Sequence, residues 1–163
     1  MSDRYPAYHY VHQLESNPLQ AELVAAIAEQ RQQLYQLREG RFTRSQDVEK
    51  VLRPAFLESG FLHSVTNQQV ESLFSPGSDF ELDFWHPGHS MAIEVEKGKH
   101  FNIWRDVCKF AESNKVEHAV LIIPYEKGNK RGHPDQIFLC AIDALNNVSK
   151  LFADLNSFLV IGY

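Results

Sequence analysis

Two short segments of alternating apolar and acidic residues, 80–84 and 91–96, flank a Pro87-Gly88 turn and constrain the fold most strongly. Side chains alternate across a strand, so each segment predicts one apolar face and one face that carries carboxylates. If the turn folds the two segments into a hairpin, the apolar faces merge towards the core. Four acids then gather on the opposite face: Glu81, Asp83, Glu94 and Glu96.

These clustered acids have two interpretations. The first is the solvated outer face of a half-buried sheet. Against it, like charges across a strand pair destabilise the pair, and no Lys, Arg or Thr is interleaved with these acids. Clustered carboxylates become favourable when a hard divalent cation with oxygen ligands lies among them. We therefore favour a metal site over a solvated face.

The first third of the chain predicts helices. One helix is predicted from Asn17, a good cap, through Pro18 in the first turn to Gly40 at the end. A second is predicted over 44–59, with Thr43 as its cap. Pro54 lies inside this second helix and should kink or split it.

The remaining segments alternate between strand and helix patterns. Strands are predicted at 61–65, in the hairpin, and at 118–125, 136–142 and 157–163, with helices over 101–114 and 143–155 and an apolar lead-in near residues 5–12. This order predicts an α/β (α+β) fold with a central mixed sheet flanked by helices. We expect one domain over 1–163, with N-terminal helices at about 18–59, a core at about 60–125 and a C-terminal strand-helix-strand at about 136–163.

Composition narrows the class of protein. Apolar residues make up 44% and charged residues 23%, the balance of a soluble globular chain. A net charge of -5 argues mildly against coating nucleic acid through bulk charge, but an acidic active site would itself lower that charge. No apolar run is long enough to span a membrane, no signal peptide pattern is present, and there are two cysteines, so we expect a reduced, cytoplasmic protein.

The sequence resembles the PD-(D/E)xK nuclease superfamily, which has the restriction-endonuclease-like fold, over about residues 49–125. The resemblance is carried by Asp83, the Glu94-Val95-Glu96-Lys97 segment, the helical pattern after it and the strand "HAVLIIPY". It implies that Asp83 and Glu94 hold Mg²⁺, with Mn²⁺ as a substitute. The family usually has lysine where this chain has Glu96, a departure shared with a Glu-x-Glu minority, and Leu82 replaces the family's proline.

The resemblance also implies roles for neighbouring residues. Glu96 would complete the metal shell or deprotonate the attacking water, and Lys97 or Lys99 would stabilise developing charge. Lys97 points to the other face of an ideal strand, so this role needs a bulge or Lys99. An acid of the preceding helix joins the site in several members, and Glu49 is the candidate, although an exposed acid is the alternative. Glu81 would be peripheral.

Several basic residues are candidate DNA contacts, each with a solvated surface as the alternative. They are Arg105 and Lys109 on the helix after the motif, and Lys127, Lys130 and Arg131 in the loop before the next strand. The spacing of His86, His89 and His100 does not favour a zinc site.

The first functional hypothesis is a magnesium-dependent DNA endonuclease of restriction or repair type, acting as a homodimer because one such site cuts one strand. The second is a catalytically silent module on the same fold, which binds or regulates a partner. The departure at Glu96 and the acidic net charge motivate this alternative. A third hypothesis keeps the metal but takes RNA as substrate, and no RNA-specific signature supports it.

Overall fold

The structure is a computed structural model that describes residues 6–40, 42–97, 100–128 and 135–163, with the backbone alone at 100 and 101. In chain order its elements are β1 Ala7–Gln13, α1 Pro18–Glu29, α2 Arg31–Glu39, α3 Ser45–Glu58, β2 Leu62–Val65, β3 Leu82–His86, β4 Met91–Val95, α4 His100–Glu112, β5 His118–Ile123, α5 Ile137–Asn146 and β6 Ser157–Gly162. Short 3₁₀ turns lie at Pro87–His89 and Ser149–Phe152.

The strands form one six-stranded mixed sheet in the order β1-β6-β5-β4-β3-β2. The central strands β4, β5 and β6 run parallel, and β1, β2 and β3 join them by antiparallel pairing. The predicted mixed sheet flanked by helices is therefore confirmed.

Helices cover both faces of this sheet. The first core cluster packs side chains of α1, α2 and α3, such as Leu23, Leu34 and Phe56, against one face. The second packs α4 and α5, represented by Phe110 and Phe138, against the other. Strands β5 and β6 are buried at every residue, as expected for central strands of a sheet covered on both sides. Strand β4 is buried throughout as well, which bears directly on its acids.

The predicted hairpin forms between β3 and β4, with Phe84 opposite Ile93 and His86 opposite Met91. Its turn is the 3₁₀ segment Pro87–His89, after which Ser90 takes a left-handed conformation with φ 46°. Strand β3 begins only at Leu82, so Glu81 lies outside the paired strands and is exposed.

The first predicted helix is divided in two at Gln30. Asn17 caps α1 as predicted, because its Oδ1 accepts from the Leu19 N–H at 3.1 Å. At Gln30 the backbone leaves helical geometry (φ -91°, ψ 4°), and its N–H donates to the Ile27 carbonyl at 3.2 Å, a tightened last turn. The prediction of one continuous helix was therefore wrong at this residue, although α2 ends before Gly40 as expected.

The start of α3 also differs from the prediction. Arg44, not Thr43, is the N-cap, and the Arg44 N–H donates to the Asp47 carboxylate at 2.8 Å. The Thr43 hydroxyl instead donates to the carbonyl of Leu37 at 2.6 Å. Helix α3 runs through Pro54 without being split.

Two terminal segments were predicted wrongly. Residues 136–142, predicted as a strand, form most of α5, because Phe138, Ala141 and Leu145 recur at helical spacing and are buried in the core beside α4. The N-terminal lead-in is strand β1, which pairs antiparallel with β6 at the far end of the chain. Among the described residues, no helix has the length and apolar character needed to cross a membrane.

Candidate active site

Asp83 on β3 and Glu94 on β4 are brought together by the hairpin, and each carboxylate accepts from a backbone N–H of the facing strand. The Val95 N–H donates to Asp83 Oδ2 at 2.7 Å, and the Asp83 N–H donates to Glu94 Oε1 at 3.3 Å. These two hydrogen bonds hold the two carboxylates in a fixed relation on the hairpin, where the sequence predicts that they lie close together.

Helix α4 closes over Glu94 from the other side. Lys109 Nζ donates to Glu94 Oε2 at 2.5 Å and contacts Asp106 Oδ1 at 3.4 Å. Glu94 is 1% exposed, and Asp106 and Lys109 are also buried. The outer face of the hairpin is therefore not solvated at Glu94, and the first interpretation of the acids fails there. We call Asp83, Glu94, Asp106 and Lys109 the carboxylate cluster.

Burial sets the electrostatics of this cluster. It raises the pKa of Asp83 to about 7, with the nearby Glu49 charge as the second cause. Burial, and then the charge of Asp83, raises the pKa of Glu94, and burial raises the pKa of Asp106. Burial alone would lower the pKa of Lys109, but the charges of Glu94 and Asp106 outweigh it and raise that pKa. Three acids thus share one ammonium group among the described residues, and each is costly to ionise.

Glu49 and His63 lie beside Asp83 and form a second acid-containing pair. Glu49 on α3 is buried, and its Oε2 is 3.2 Å from Nε2 of His63 on β2. Both side chains line a cavity of about 200 Å³ between α3 and the β2–β3 pair, together with Asp83. Glu49 is therefore a buried acid in the structure, and the alternative of an exposed acid was wrong. His63 and Asp106 were not foreseen, since neither belongs to a motif that the sequence makes visible.

Lys97 lies away from the carboxylate cluster. Its ammonium donates to the carbonyls of Gly40 at 2.7 Å and Thr43 at 3.1 Å. The side chain therefore ties the end of β4 to the α2–α3 connection, on the face that strand alternation assigns to it. The structure does not bring Lys97 to the acids, and Lys99 lies outside the described residues.

Glu96 follows the last residue of β4 and lies near the start of α4. Its backbone N–H donates to the Ile122 carbonyl at 2.9 Å, and its carboxylate accepts from Asn102 Nδ2 at 3.2 Å. Burial, and then the charge of Asp106, raises the pKa of Glu96. The charge of Asp106 thus acts on the Glu96 carboxylate, but the hydrogen bond of this carboxylate is to Asn102, near the start of α4.

The candidate DNA contacts are scattered. Arg105 is exposed on α4, whereas Lys109 is buried in the cluster, so the prediction of Lys109 as a surface DNA contact was wrong. Its spacing from Arg105 suggested a shared solvated face, but Lys109 faces the sheet. Lys127 is half-buried, and its backbone pairs with Asp135. Lys130 and Arg131 lie outside the described residues.

The donor set fits a hard divalent cation bound in the manner of magnesium. Within the described ranges, no group of three or more His, Cys, Asp or Glu side chains is arranged to hold a metal ion by itself. Magnesium is commonly held by one or two carboxylates, with water and substrate phosphate completing its shell. Asp83 and Glu94 provide two neighbouring carboxylates that would serve in this way. Moreover, Asp106 Oδ2 is buried and has no hydrogen-bond partner among the described residues, which leaves local negative charge unsatisfied.

Similarity to known proteins is found at the level of a protein family. A family model described as "Putative halobacteria restriction endonuclease" matches residues 1–163. No curated protein matches the chain, and no solved structure matches it.

Proposed function

The chain belongs to this restriction-endonuclease family, and we propose that it is a metal-dependent endonuclease that hydrolyses phosphodiester bonds of DNA. The observation that carries the proposal is the fixed Asp83–Glu94 pair at the hairpin, in which Glu94 is buried beside Lys109. Buried carboxylates with raised pKa values are characteristic of sites that do chemistry rather than of solvated strands. The resemblance in motif spacing supports the same assignment.

In this proposal Asp83 and Glu94 hold the metal. Bound Mg²⁺ or Mn²⁺ would neutralise charge on the scissile phosphate and lower the pKa of its water. The protein contributes geometry: the backbone donors of Asp83 and Val95 hold both carboxylates in place before substrate arrives.

Lys109 takes the place of the lysine that the family usually carries on the second strand. The chain has Glu96 at that position, and Lys97 is bonded to backbone carbonyls instead. Lys109 approaches the same carboxylate, Glu94, from α4. Its ammonium fixes the orientation of Glu94 and supplies positive charge close to where negative charge develops.

The second candidate function is a catalytically silent module. One observation favours it: Lys109 already neutralises Glu94, so part of the charge that a metal would compensate is compensated by the protein. In a silent module the ion pair would be structural, and the fold would serve a protein partner.

For the active enzyme we propose a homodimer that acts on DNA, since one such site cuts one strand. We propose the cytoplasm as its location.

A cleavage assay separates these functions. The purified chain is incubated with supercoiled plasmid, linear duplex and branched DNA, and with an RNA duplex, in Mg²⁺, in Mn²⁺ or in excess EDTA. We expect DNA products with either metal and none with EDTA, because the carboxylates alone cannot neutralise a phosphate. Products from RNA alone would change the substrate class. Intact DNA under every condition, with a folded chain, would favour the silent module.

A further inference from the structure

A polar face of α3 has no part in the function described so far. Gln46, Glu49, Lys50 and Arg53 follow the spacing i, i+3, i+4, i+7, so they lie along one side of the helix. The apolar side of α3 packs in the core under the sheet. Of these four polar residues, Glu49 alone is a candidate site residue from the sequence.

This polar face forms one wall of the cavity that contains Asp83. The opposite wall comes from His63 and Ser64 of β2 and from Asp83 of β3. Burial differs with depth: Glu49 is 8% exposed, whereas Gln46, Lys50 and Arg53 are exposed. The cavity therefore has an acidic floor and a rim that carries two cations, Lys50 and Arg53, and one further acid, the exposed Glu81.

A phosphodiester approaching an acidic floor meets repulsion from Asp83 and Glu49. Cations at the rim offset this repulsion and determine where along the backbone the strand can rest. Arginine suits the task because its guanidinium donates two parallel hydrogen bonds to a phosphate, and lysine adds a point charge. Lys50 contacts Asp47 at 3.3 Å, but its side chain is 70% exposed, and such surface pairs are weak and easily exchanged for a phosphate.

We propose that Arg53 and Lys50 on α3 bind the DNA backbone phosphates next to the scissile bond and so position the strand over Asp83. This inference rests on the proposed nuclease function and specifies the surface through which the substrate is held. Among the described candidates from sequence, Arg105 lies on the helix layer across the sheet, Lys109 is buried, and Lys127 does not line the cavity. The α3 rim is the described basic surface that shares a cavity with Asp83.

The test is DNA binding as a function of salt, in an Asp83→Asn background that strongly slows cleavage. Fluorescence anisotropy with a labelled duplex compares three proteins: the background, the background with Lys50→Gln and Arg53→Gln, and the background with Lys115→Gln and Lys150→Gln. The last pair removes the same charge from exposed positions elsewhere. Thermal melting checks that all three are equally folded.

We expect the rim variant to bind more weakly and its slope of log K against log salt to fall by about 2, since each lost phosphate contact lowers the slope by about 1. The control pair should leave the slope unchanged. Equal slopes in the rim and control variants would overturn this inference while leaving the nuclease function standing. Absence of DNA binding in the background protein at low salt would overturn the nuclease function and the inference together.

Discussion

Asp83→Asn should lower the rate of DNA cleavage by on the order of 10³-fold, the upper end of what removal of one electrostatic stabiliser costs. Asparagine keeps the shape of the side chain and an oxygen that can accept from the Val95 N–H. It removes the negative charge that the proposed metal requires. The measurement is single-turnover cleavage in Mg²⁺ at pH 8, where the wild-type carboxylate, with a pKa of about 7, is ionised.

The matched control is Glu81→Gln. Glu81 lines the same cavity and lies two residues before Asp83, but it is exposed and outside the paired strands. It should retain most of the wild-type rate. Equal losses in the two variants would mean that general negative potential, rather than a specific ligand, is what matters.

Stability separates loss of chemistry from loss of folding in Asp83→Asn. Asp83 has a folded pKa of about 7 against 3.8 in the unfolded chain, so between these pH values the folded state binds more protons. The contribution of Asp83 to the free energy of unfolding therefore falls as pH rises from about 4 to about 7, and it stays at the lower value above pH 7. Removing the charge should make Asp83→Asn at least as stable as the metal-free wild type at pH 8.

Lys109→Met should destabilise the protein by about 3–5 kcal/mol, the cost of leaving a buried charge without its partner. Methionine is close in length, so the packing change is small. The variant leaves Glu94 and Asp106 buried without the ammonium that contacts both. Urea denaturation at pH 8 measures the effect. The loss should shrink at pH 5, because both acids have raised pKa values and can become neutral by taking up protons.

Arg105→Met is the control for Lys109→Met, since it removes a positive charge from an exposed position of the same helix. It should change the free energy of unfolding by no more than about 0.5 kcal/mol, as is usual for a surface substitution. A Lys109→Met loss no larger than that of Arg105→Met would contradict the buried ion pair.

Local sequence patterns were enough to predict that Asp83 and Glu94 lie close together. Strand alternation and the Pro87-Gly88 turn place Asp83 and Glu94 on neighbouring strands, and both features depend only on residues close in sequence. Alternation also assigned Lys97 to the far face, and it lies there, bonded to Gly40 and Thr43. The hydrogen bonds of these acids to the backbone of the facing strand were not predicted, because they depend on the exact register of the two strands.

What the sequence could not show depends on distant packing. The packing of α4 over β4 decides whether the acidic face of the hairpin meets water or a helix. The sequence does not reveal this packing, so Lys109 was predicted to be a surface residue. Strand β1 is stabilised by pairing with β6, about 150 residues later, and the sequence pattern of β1 is too irregular to predict a strand. At 136–142 a run of apolar residues suits either a strand or a buried helix, and contact with the core decided for the helix.

The most direct measurement is divalent-metal binding by calorimetry, on the wild type and on Glu94→Gln, with Mg²⁺ and Mn²⁺ at pH 8 and pH 6. We expect the wild type to bind at pH 8 and more weakly at pH 6, with proton release, because Asp83 and Glu94 must give up protons to act as ligands. Glu94→Gln should lose binding. Absence of binding in the folded wild type at pH 8, or equal binding by Glu94→Gln, would contradict a metal site at Asp83 and Glu94.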